Sequence, residues 1–354
     1  MSRRGVTLQD IAVRTGVSKV TVSYILNGRE TKVRISDSTR TRVLAAAREM
    51  GYHPNALARA LVRRCTDTVT LVMQFPGVFS GGTGFIFELL HGVTEAANRT
   101  GYDLMLHTKA LPGVTEEVGA LTDGRADGVL LLRDLGDPLI AELAARHFPA
   151  VCLFSRTDEP DACFVDCDNV SGGRLVAEHL LELGHRRLCF VGGSSSSSAV
   201  QDRWQGLFEV ATPAGAEVTR CTVYHANGDF TPLREIMQRK DAPTAIFVWS
   251  DDVAVSTMNR LREWGFRVPE EVSVVGFDGL ESLCERSVPR LTSVRQPIYE
   301  IAEQAMRLLV ARIRQEEGIE TQILLSPELI RRDSCAPVIS SISSQHSTSY
   351  GRNQ

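Results

Sequence analysis

Two short amphipathic patterns lie near the start of the chain, separated by a glycine. The spacing of apolar residues predicts a helix from Leu8 to about Arg14 and a second helix from Lys19 to Leu26. Gly16 supplies the backbone freedom that a tight turn between them requires. The apolar residues that would pack the two helices together are Leu8, Ile11, Ala12, Val22, Ile25 and Leu26. The pattern therefore predicts a helix-turn-helix.

Capping residues support these helix boundaries. Thr7 and Asp10 have the Thr-x-x-Asp spacing of a capping box, and Ser18 can cap the second helix. Asn27-Gly28 is a natural stop, because both residues tolerate the left-handed conformation at a helix end.

The outward face of the second helix is the candidate DNA-binding surface, because this face of a helix-turn-helix enters the major groove. The candidate contacts in this region are Thr7, Ser18, Lys19, Val20, Thr21, Tyr24 and Asn27. The pattern alone also allows a surface helical hairpin that has no partner.

A third helix completes the head of the chain. Ser36 can cap it, apolar side chains recur at Val43, Ala47 and Met50, and Gly51 ends it. Residues 1–53 are therefore predicted to form an all-α DNA-binding domain.

The next segment, residues 54–65, is predicted to be a hinge and linker. Pro54 blocks continuation of the third helix but suits the start of a new one. The Ala-rich stretch at residues 55–61 is too short to be a stable helix by itself, so we expect it to become helical only with a partner.

From residue 66 to residue 337, apolar runs alternate with amphipathic helical patterns. The predicted strands are Val69–Met73, Asp103–His107, Gly128–Leu132, Val151–Phe154, Leu188–Val191, Ala245–Val248 and Val272–Phe277. The helical patterns include Phe87–Arg99, Ser171–Leu183 and Val253–Trp264. This alternation predicts an α/β core of two doubly wound parallel-sheet lobes, with a ligand cleft at the strand ends.

Charge is distributed unevenly along the chain. Residues 1–64 contain thirteen Lys and Arg against four Asp and Glu, which gives a net charge of +9. The whole chain carries −4, so the remainder carries −13. A basic head on an acidic body is typical of a module that contacts nucleic acid phosphates and is attached to a second functional unit.

Two segments carry a family resemblance: VTLQDIAVRTGVSKVTVSYILNG at residues 6–28 and AAAREMGYHPNALARAL at residues 45–61. They resemble the LacI/GalR family of repressors, and the resemblance extends over residues 5–337. It implies a homodimer that binds a pseudo-palindromic double-stranded DNA operator, with periplasmic-binding-protein-like lobes that also dimerise. It also implies that the chain crosses between the lobes near residues 168, 297 and 325.

By the same resemblance, the hinge binds in the minor groove and a leucine wedge opens a base step. The hinge residues to which this applies are Asn55, Ala58, Arg59 and Leu61. Lys19, Val20 and Tyr24 become the candidates for base reading. Tyr24 departs from the family, which most often has Arg there, so the preferred half-site is left open.

The effector candidates follow from position and resemblance together. Asp278 ends a predicted strand and matches a ligand-binding Asp, while Arg203 matches a ligand-binding Arg. Ser250 stands where the family often has Asn, and Ser155 where many sugar-binding members have Asp. The full set is Gln74, Phe85, Ser155, Arg203, Phe230, Ser250 and Asp278, with the two phenylalanines as aromatic walls. Asp278 could instead accept backbone amides, and Arg203 could pair with Asp202 or Asp251.

Other chemistry is weakly represented. No nucleophile elbow, phosphate-binding loop or paired histidine motif is complete, so we expect no enzyme, no cofactor and no metal. The cysteines are scattered, and Cys163-x3-Cys167 is not a convincing metal site. The run Ser194–Ser198 is expected to form a cleft loop after a strand. Residues 338–354 are Ser-rich without hydrophobic period and are predicted to be disordered.

Taken together, these features predict a transcriptional regulator, with repression as the expected action, controlled by a small polar, sugar-like effector. No apolar stretch is long enough for a membrane span and no signal peptide opens the chain, so a cytoplasmic location is expected. The rival interpretations are a solute-binding protein, which would need a signal peptide and no basic head, and an enzyme that uses the same cleft.

Overall fold

The structure, a computed structural model, describes residues 6–26, 35–53, 60, 63, 65–73, 84–109, 111–157, 159 and 162–338. The chain divides into two compact units, residues 1–67 and residues 68–354. The predicted hinge positions other than residues 60, 63 and 65 lie outside the described residues, as does the predicted tail beyond residue 338. In the described part of the chain, no helix has the length and apolar character needed to cross a membrane.

In the described residues of the first unit, the helices with defined bounds are α1 (Leu8–Thr15), α2 (Lys19–Leu26) and α3 (Asp37–Glu49). They bury one small core, which consists of Ile11, Ala12, Val22, Ile25, Val43, Ala46 and Ala47, with Leu8 and Leu26 packed against it. The helices begin and end where the sequence predicts, within about one residue.

The second unit alternates strands and helices. The strands are β1 (Thr68–Met73), β2 (Asp103–His107), β3 (Gly128–Leu132), β4 (Ala150–Leu153), β5 (Cys163–Cys167), β6 (Arg187–Gly192), β7 (Glu217–Thr222), β8 (Ala245–Val248), β9 (Ser273–Asp278), β10 (Thr292–Arg295), β11 (Gln322–Leu325) and β12 (Glu328–Ile330). The helices are α4 (Gly84–Thr100), α5 (Val114–Leu121), α6 (Pro138–Ala145), α7 (Asn169–Glu182), α8 (Ser198–Ala211), α9 (Thr231–Met237), α10 (Asp251–Glu263), α11 (Glu281–Cys284) and α12 (Ile298–Ile313).

These strands form two six-stranded sheets. The first has the order β11-β5-β4-β3-β1-β2 and the second the order β12-β10-β9-β8-β6-β7. We call the first sheet with α4–α6 and α12 the first lobe, and the second sheet with α7–α11 the second lobe. The predicted fold class, a helical head with two parallel-sheet lobes, is confirmed. One strand differs, because β12 pairs antiparallel with β10.

The chain passes between the two sheets three times. It leaves β5 at Cys167 for α7, leaves β10 at Arg295 for α12, and leaves β11 at Leu325 for β12. All three passages follow the carboxyl end of a strand. Polar residues beside them therefore lie at the edge of the sheets where open α/β folds bind ligands.

Candidate DNA-binding surface and effector site

Local hydrogen bonds fix the geometry of the helix-turn-helix. The Thr7 Oγ1 accepts from the Asp10 backbone N at 3.3 Å, and the Asp10 carboxylate accepts from the Thr7 backbone N at 2.8 Å. Gly16 takes the left-handed conformation, with φ of 69°, at the end of α1. Ser18 Oγ accepts from the Thr21 backbone N at 3.1 Å and caps α2. Ser18 therefore has a structural role whether or not it contacts DNA.

The two faces of α2 differ as the pattern predicts. Val22 and Ile25 are buried against α1 and α3, whereas Lys19 and Val20 are exposed. Val20 has 60% of its surface exposed. Tyr24 is half-buried at the edge of this face. The surface therefore offers a cation, an apolar patch and an aromatic ring, a set that can contact phosphates and base edges.

Five predicted DNA contacts, Asn27, Asn55, Ala58, Arg59 and Leu61, lie outside the described residues.

Arg203 on α8 is the cation of the candidate effector site and is almost completely buried. Its Nε donates to Asn169 Oδ1 at 2.9 Å, and its Nη1 donates to the Trp249 carbonyl. Its guanidinium lies over the Phe277 ring, 3.6 Å from the centroid. Burial lowers the pKa of Arg203, and the nearby Asp278 carboxylate opposes this shift most strongly.

Glycines make this position of Arg203 possible. A Cβ on Gly173 of α7 would lie 2.3 Å from the Arg203 carbonyl oxygen, and a Cβ on Gly206 of α8 would lie 2.0 Å from the Val170 carbonyl oxygen. Side chains at these positions would force α7 and α8 apart. The glycines therefore hold Arg203 within hydrogen-bond distance of Asn169, across the two helices.

Asp278 is the anion of the site and lies at the end of β9. It is 6% exposed, and its backbone φ of 117° is a conformation that residues other than glycine rarely adopt. Its carboxylate accepts from Gln296 Nε2 at 2.7 Å and more distantly from the Asp251 backbone N at 3.5 Å. Burial raises the pKa of Asp278 well above its usual range; Arg203 lowers it, and Asp251 adds to the rise.

Asp251, at the start of α10, holds the turn after β9. Its carboxylate accepts from the Leu280 backbone N at 2.8 Å and from Ser293 Oγ at 2.6 Å. Burial raises the pKa of Asp251 to about 6, and the hydroxyl of Ser293 opposes the shift. Arg203 forms no ion pair with Asp202, Asp251 or Asp278 among the described residues. The alternative that the sequence left open, in which Arg203 pairs with Asp202 or Asp251, is therefore wrong for this structure.

Two residues of the site were missed by the sequence reasoning. Asn169 Nδ2 donates to the Asp166 carboxylate at 3.3 Å, so Asn169 links that acid to Arg203. Gln296 is buried and donates to Asp278. Asn169 and Gln296 each lie next to a passage between the sheets, and that adjacency is the signal that would have identified them.

The first-lobe candidates lie in a different set of contacts. Ser155 follows β4, is buried, and has its Oγ 3.5 Å from Ser198 Oγ of the second lobe. Phe85 is half-buried, and its ring meets the Phe154 ring edge-on at a centroid distance of 4.8 Å. Phe85 and Ser155 are thus joined through Phe154, the residue next to Ser155 in the chain.

The remaining effector candidates differ in their surroundings. Ser250 is buried and precedes Asp251, without a side-chain cap to α10. Phe230 is 5% exposed and packs into the hydrophobic cluster of the second lobe, with the Arg260 guanidinium 5.9 Å from its ring centroid. No hydrogen bond or ring contact joins it to Arg203 or Asp278 in the described part of the chain. Gln74 lies outside the described residues.

A cavity of about 420 Å³ opens beside the polar cluster. Asp278 and Gln296 line it, together with residues of α12 and of the passage from β11 to β12. Its size is in the range of small-molecule sites. Arg203, Ser155 and Ser250 do not line it.

Comparison with known proteins identifies both units. A model of bacterial regulatory proteins of the lacI family matches residues 7–55, and a model of the periplasmic binding protein-like domain matches residues 177–335. The HTH-type transcriptional regulator CelR of Thermobifida fusca is 36% identical over 344 residues, which cover 94% of this chain and 99% of CelR. The HTH-type transcriptional repressor PurR of Aliivibrio salmonicida (strain LFI1238) is 29% identical and covers 93% of this chain and 98% of PurR.

Solved structures agree with these relatives. A complex of the transcriptional regulator CelR with cellobiose matches 93% of this chain and 99% of that chain, with 32% identity and a TM-score of 0.69. The lac repressor dimer bound to operator and the anti-inducer ONPF matches 94% of this chain and 100% of that chain; its identity of 24% and TM-score of 0.79 show a shared fold. The resemblance identified in the sequence is confirmed, and the chain belongs to the LacI family of bacterial transcriptional regulators.

Proposed function

We propose that this protein is a homodimeric repressor that binds a pseudo-palindromic DNA operator and responds to a sugar-like effector held by Arg203 and Asp278. The observation that supports this proposal most strongly is a buried polar cluster at the sheet edges where the chain passes between the lobes. The repressor PurR among the relatives supports repression as the action.

The DNA half of the proposal rests on the head. Lys19 and Val20 are exposed on α2, while the opposite face of that helix is buried. The net charge of +9 over residues 1–64 supports phosphate contacts. Thr7, Ser18, Thr21 and Tyr24 are the further proposed contacts, and Asn27, Asn55, Ala58, Arg59 and Leu61 are proposed on the family resemblance.

The effector half rests on groups of opposite charge that do not neutralise each other by direct contact. Arg203 and Asp278 influence each other's pKa without forming an ion pair. A small molecule with several hydroxyl groups can accept from the guanidinium and donate to the carboxylate. Ser250 and Ser155 are proposed as further polar contacts, Phe85 and Phe230 as aromatic walls, and Gln74 as a further residue of the site. We place the effector at this cluster rather than in the 420 Å³ cavity, which only two of the cluster residues line.

A sugar is the proposed class of effector because a relative, CelR, has been solved with cellobiose. The effector would favour one arrangement of the two lobes and so change operator affinity, a coupling free energy between two sites. The relatives compared above are transcriptional regulators, which supports binding rather than catalysis and a location in the cytoplasm, where the DNA is.

The DNA half is tested by selection from a pool of random duplex DNA with the full chain. We expect enrichment of two similar half-sites in inverted orientation, with binding that weakens steeply as salt rises. Lys19→Ala and Tyr24→Ala should each weaken binding to the selected site by about 1–3 kcal/mol. The matched control is Arg125→Ala, an exposed cation of the second unit, which should leave binding unchanged. Failure to enrich any sequence would contradict operator recognition.

The effector half is tested by calorimetry with cellobiose and a panel of other sugars. We expect one of them to bind, and Asp278→Asn to weaken that binding, because the substitution keeps the shape but replaces one oxygen acceptor by an amide nitrogen that can only donate. Glu263→Gln removes an exposed carboxylate of the same lobe and should have no effect. Binding that survives Asp278→Asn undiminished would leave Asp278 as a structural residue of the turn after β9.

A further inference from the structure

The serine run at residues 194–198 leads from β6 into α8 of the second lobe. Ser197 caps α8, because its Oγ accepts from the Val200 backbone N at 3.4 Å. Only Ser197 of the run acts as this cap. The serines on either side of it, Ser196 and Ser198, have hydrogen-bond partners in the first lobe.

The first set of these contacts reaches the loop after β3. Ser196 Oγ donates to Asp134 Oδ2 at 2.5 Å. The Leu135 backbone N donates to the Ser196 carbonyl oxygen at 3.2 Å. One exposed serine of the second lobe is therefore hydrogen-bonded twice to the first lobe.

The second set reaches the loop after β4. Ser198 Oγ accepts from the Arg156 backbone N at 3.2 Å and lies 3.5 Å from Ser155 Oγ. Arg156 Nη2 also donates to the carboxylate of Asp202, one turn further along α8. Asp202 is 4% exposed, while the Arg156 side chain is 42% exposed.

We propose that Ser196, Ser198 and Asp202 form an inter-lobe latch with Asp134, Leu135, Ser155 and Arg156. Its contacts are polar, with Leu135 taking part through its backbone N–H, and water can replace each contact when the lobes separate. Such contacts contribute little individually, so the latch favours the closed arrangement without locking it.

The position of the latch ties it to the effector site. Asp202 is the chain neighbour of Arg203, and Ser155 is a candidate effector contact. An effector that needs closed lobes binds in proportion to the closed fraction. The latch would therefore set the effector concentration at which the regulator responds, a consequence that rests on the proposed function. The latch itself does not depend on it.

The test is hydrogen exchange of the full chain, without DNA or sugar, followed at the Leu135 and Arg156 backbone amides. Both amides donate across the lobes, so both should exchange slowly. Asp202→Asn breaks the ion pair with Arg156 and touches neither Leu135 nor Ser196. If the contacts act as one latch, this change should speed exchange at both amides by about 2- to 5-fold.

The decisive readout is Leu135. If Asp202→Asn changes exchange at Arg156 alone, the contacts are independent and the latch is wrong. Arg156→Gln, at a partly exposed side chain, is a second variant that should match Asp202→Asn even if the buried substitution impairs folding. The control is Glu209→Gln, which breaks an ion pair of 2.7 Å between α8 and Arg174 inside the second lobe. Equal acceleration at both amides in this control would show general loosening and would also overturn the proposal.

Discussion

Replacing Gly206 by Ala tests how the close contact of α7 and α8 positions the effector site. The new Cβ would lie 2.0 Å from the Val170 carbonyl oxygen and 2.9 Å from the Arg174 backbone N. Both are backbone atoms, so no side chain can rotate away. An ordinary carbon–oxygen contact is more than 1 Å longer, and the helices must therefore separate.

Two effects of opposite sign decide the magnitude. Ala is the better helix former by about 1 kcal/mol, which stabilises the variant. Overpacking of a tight contact costs about 1–3 kcal/mol, and more where backbone must move. The clash is with backbone atoms, so we take the upper end of this cost, about 3 kcal/mol, and expect Gly206→Ala to lower the free energy of unfolding by a net of about 2 kcal/mol.

The same displacement should weaken effector binding. The hydrogen bond from Arg203 Nε to Asn169 Oδ1 spans the two helices at 2.9 Å, so separation of more than a few tenths of an ångström disrupts it. Urea unfolding followed by circular dichroism measures the stability, and calorimetry with the bound sugar measures the site.

Gly119→Ala is the matched control. Gly119 lies within α5, and a Cβ there would have no atom within 4 Å. This variant should be more stable than the wild type by about 0.5–1 kcal/mol. If Gly206→Ala is also as stable as the wild type or more so, the α7–α8 contact does not constrain the helices, and our account of how Arg203 is held is wrong.

Three further predictions address other parts of the molecule. Burial lowers the pKa of His185 from 6.5 to about 4. As the pH falls from 7 to 5, the unfolded chain therefore binds a proton at this residue while the folded chain does not, and the free energy of unfolding should decrease by about 2 kcal/mol. Urea unfolding at the two pH values should show that His185→Gln loses less stability than the wild type over that interval. Equal losses of stability in the two proteins would contradict a lowered pKa of His185. Asp251→Ala should lower the free energy of unfolding by about 2–4 kcal/mol, because Leu280 N and Ser293 Oγ lose their acceptor; a cost under about 1 kcal/mol in the same assay would argue against its role in holding the turn. Leu61→Ala should weaken binding to the selected operator more than binding to random DNA in fluorescence anisotropy, and an equal loss on both would count against a wedge.

The helical periods and the caps were enough to predict the head, because its three helices bury a core of their own and each ends at a local signal. Strands with a continuous apolar run, such as β3 and β8, were found for the same reason. The strands β5, β7, β10, β11 and β12 were missed. In β5 and β7 the charged residues Asp166 and Arg220 interrupt the apolar pattern. Their pairing with neighbouring strands, which no local pattern records, makes them strands.

The site shows a similar division. Arg203 and Asp278 were named from position and resemblance, and the structure places both in one buried polar cluster. Their partners carry no local pattern that marks them, and only their adjacency to the expected passages near residues 168 and 297 could have identified them. Asn169 and Gln296 acquire their roles only when the passages between the sheets bring them beside Arg203 and Asp278. The contacts of Ser196 and Ser198 likewise depend on the opposite lobe, so a serine run in the sequence carries no sign of them.

The most direct test of the central claim is a titration of the full chain on its selected operator, with and without the sugar that calorimetry identifies. Fluorescence anisotropy would follow the wild type and Asp278→Asn under the same salt. We predict that the sugar changes operator affinity of the wild type by 5-fold or more, as for typical allosteric coupling, and leaves that of Asp278→Asn unchanged. An operator affinity that does not respond to the bound sugar, or a response that persists in Asp278→Asn, would contradict the account.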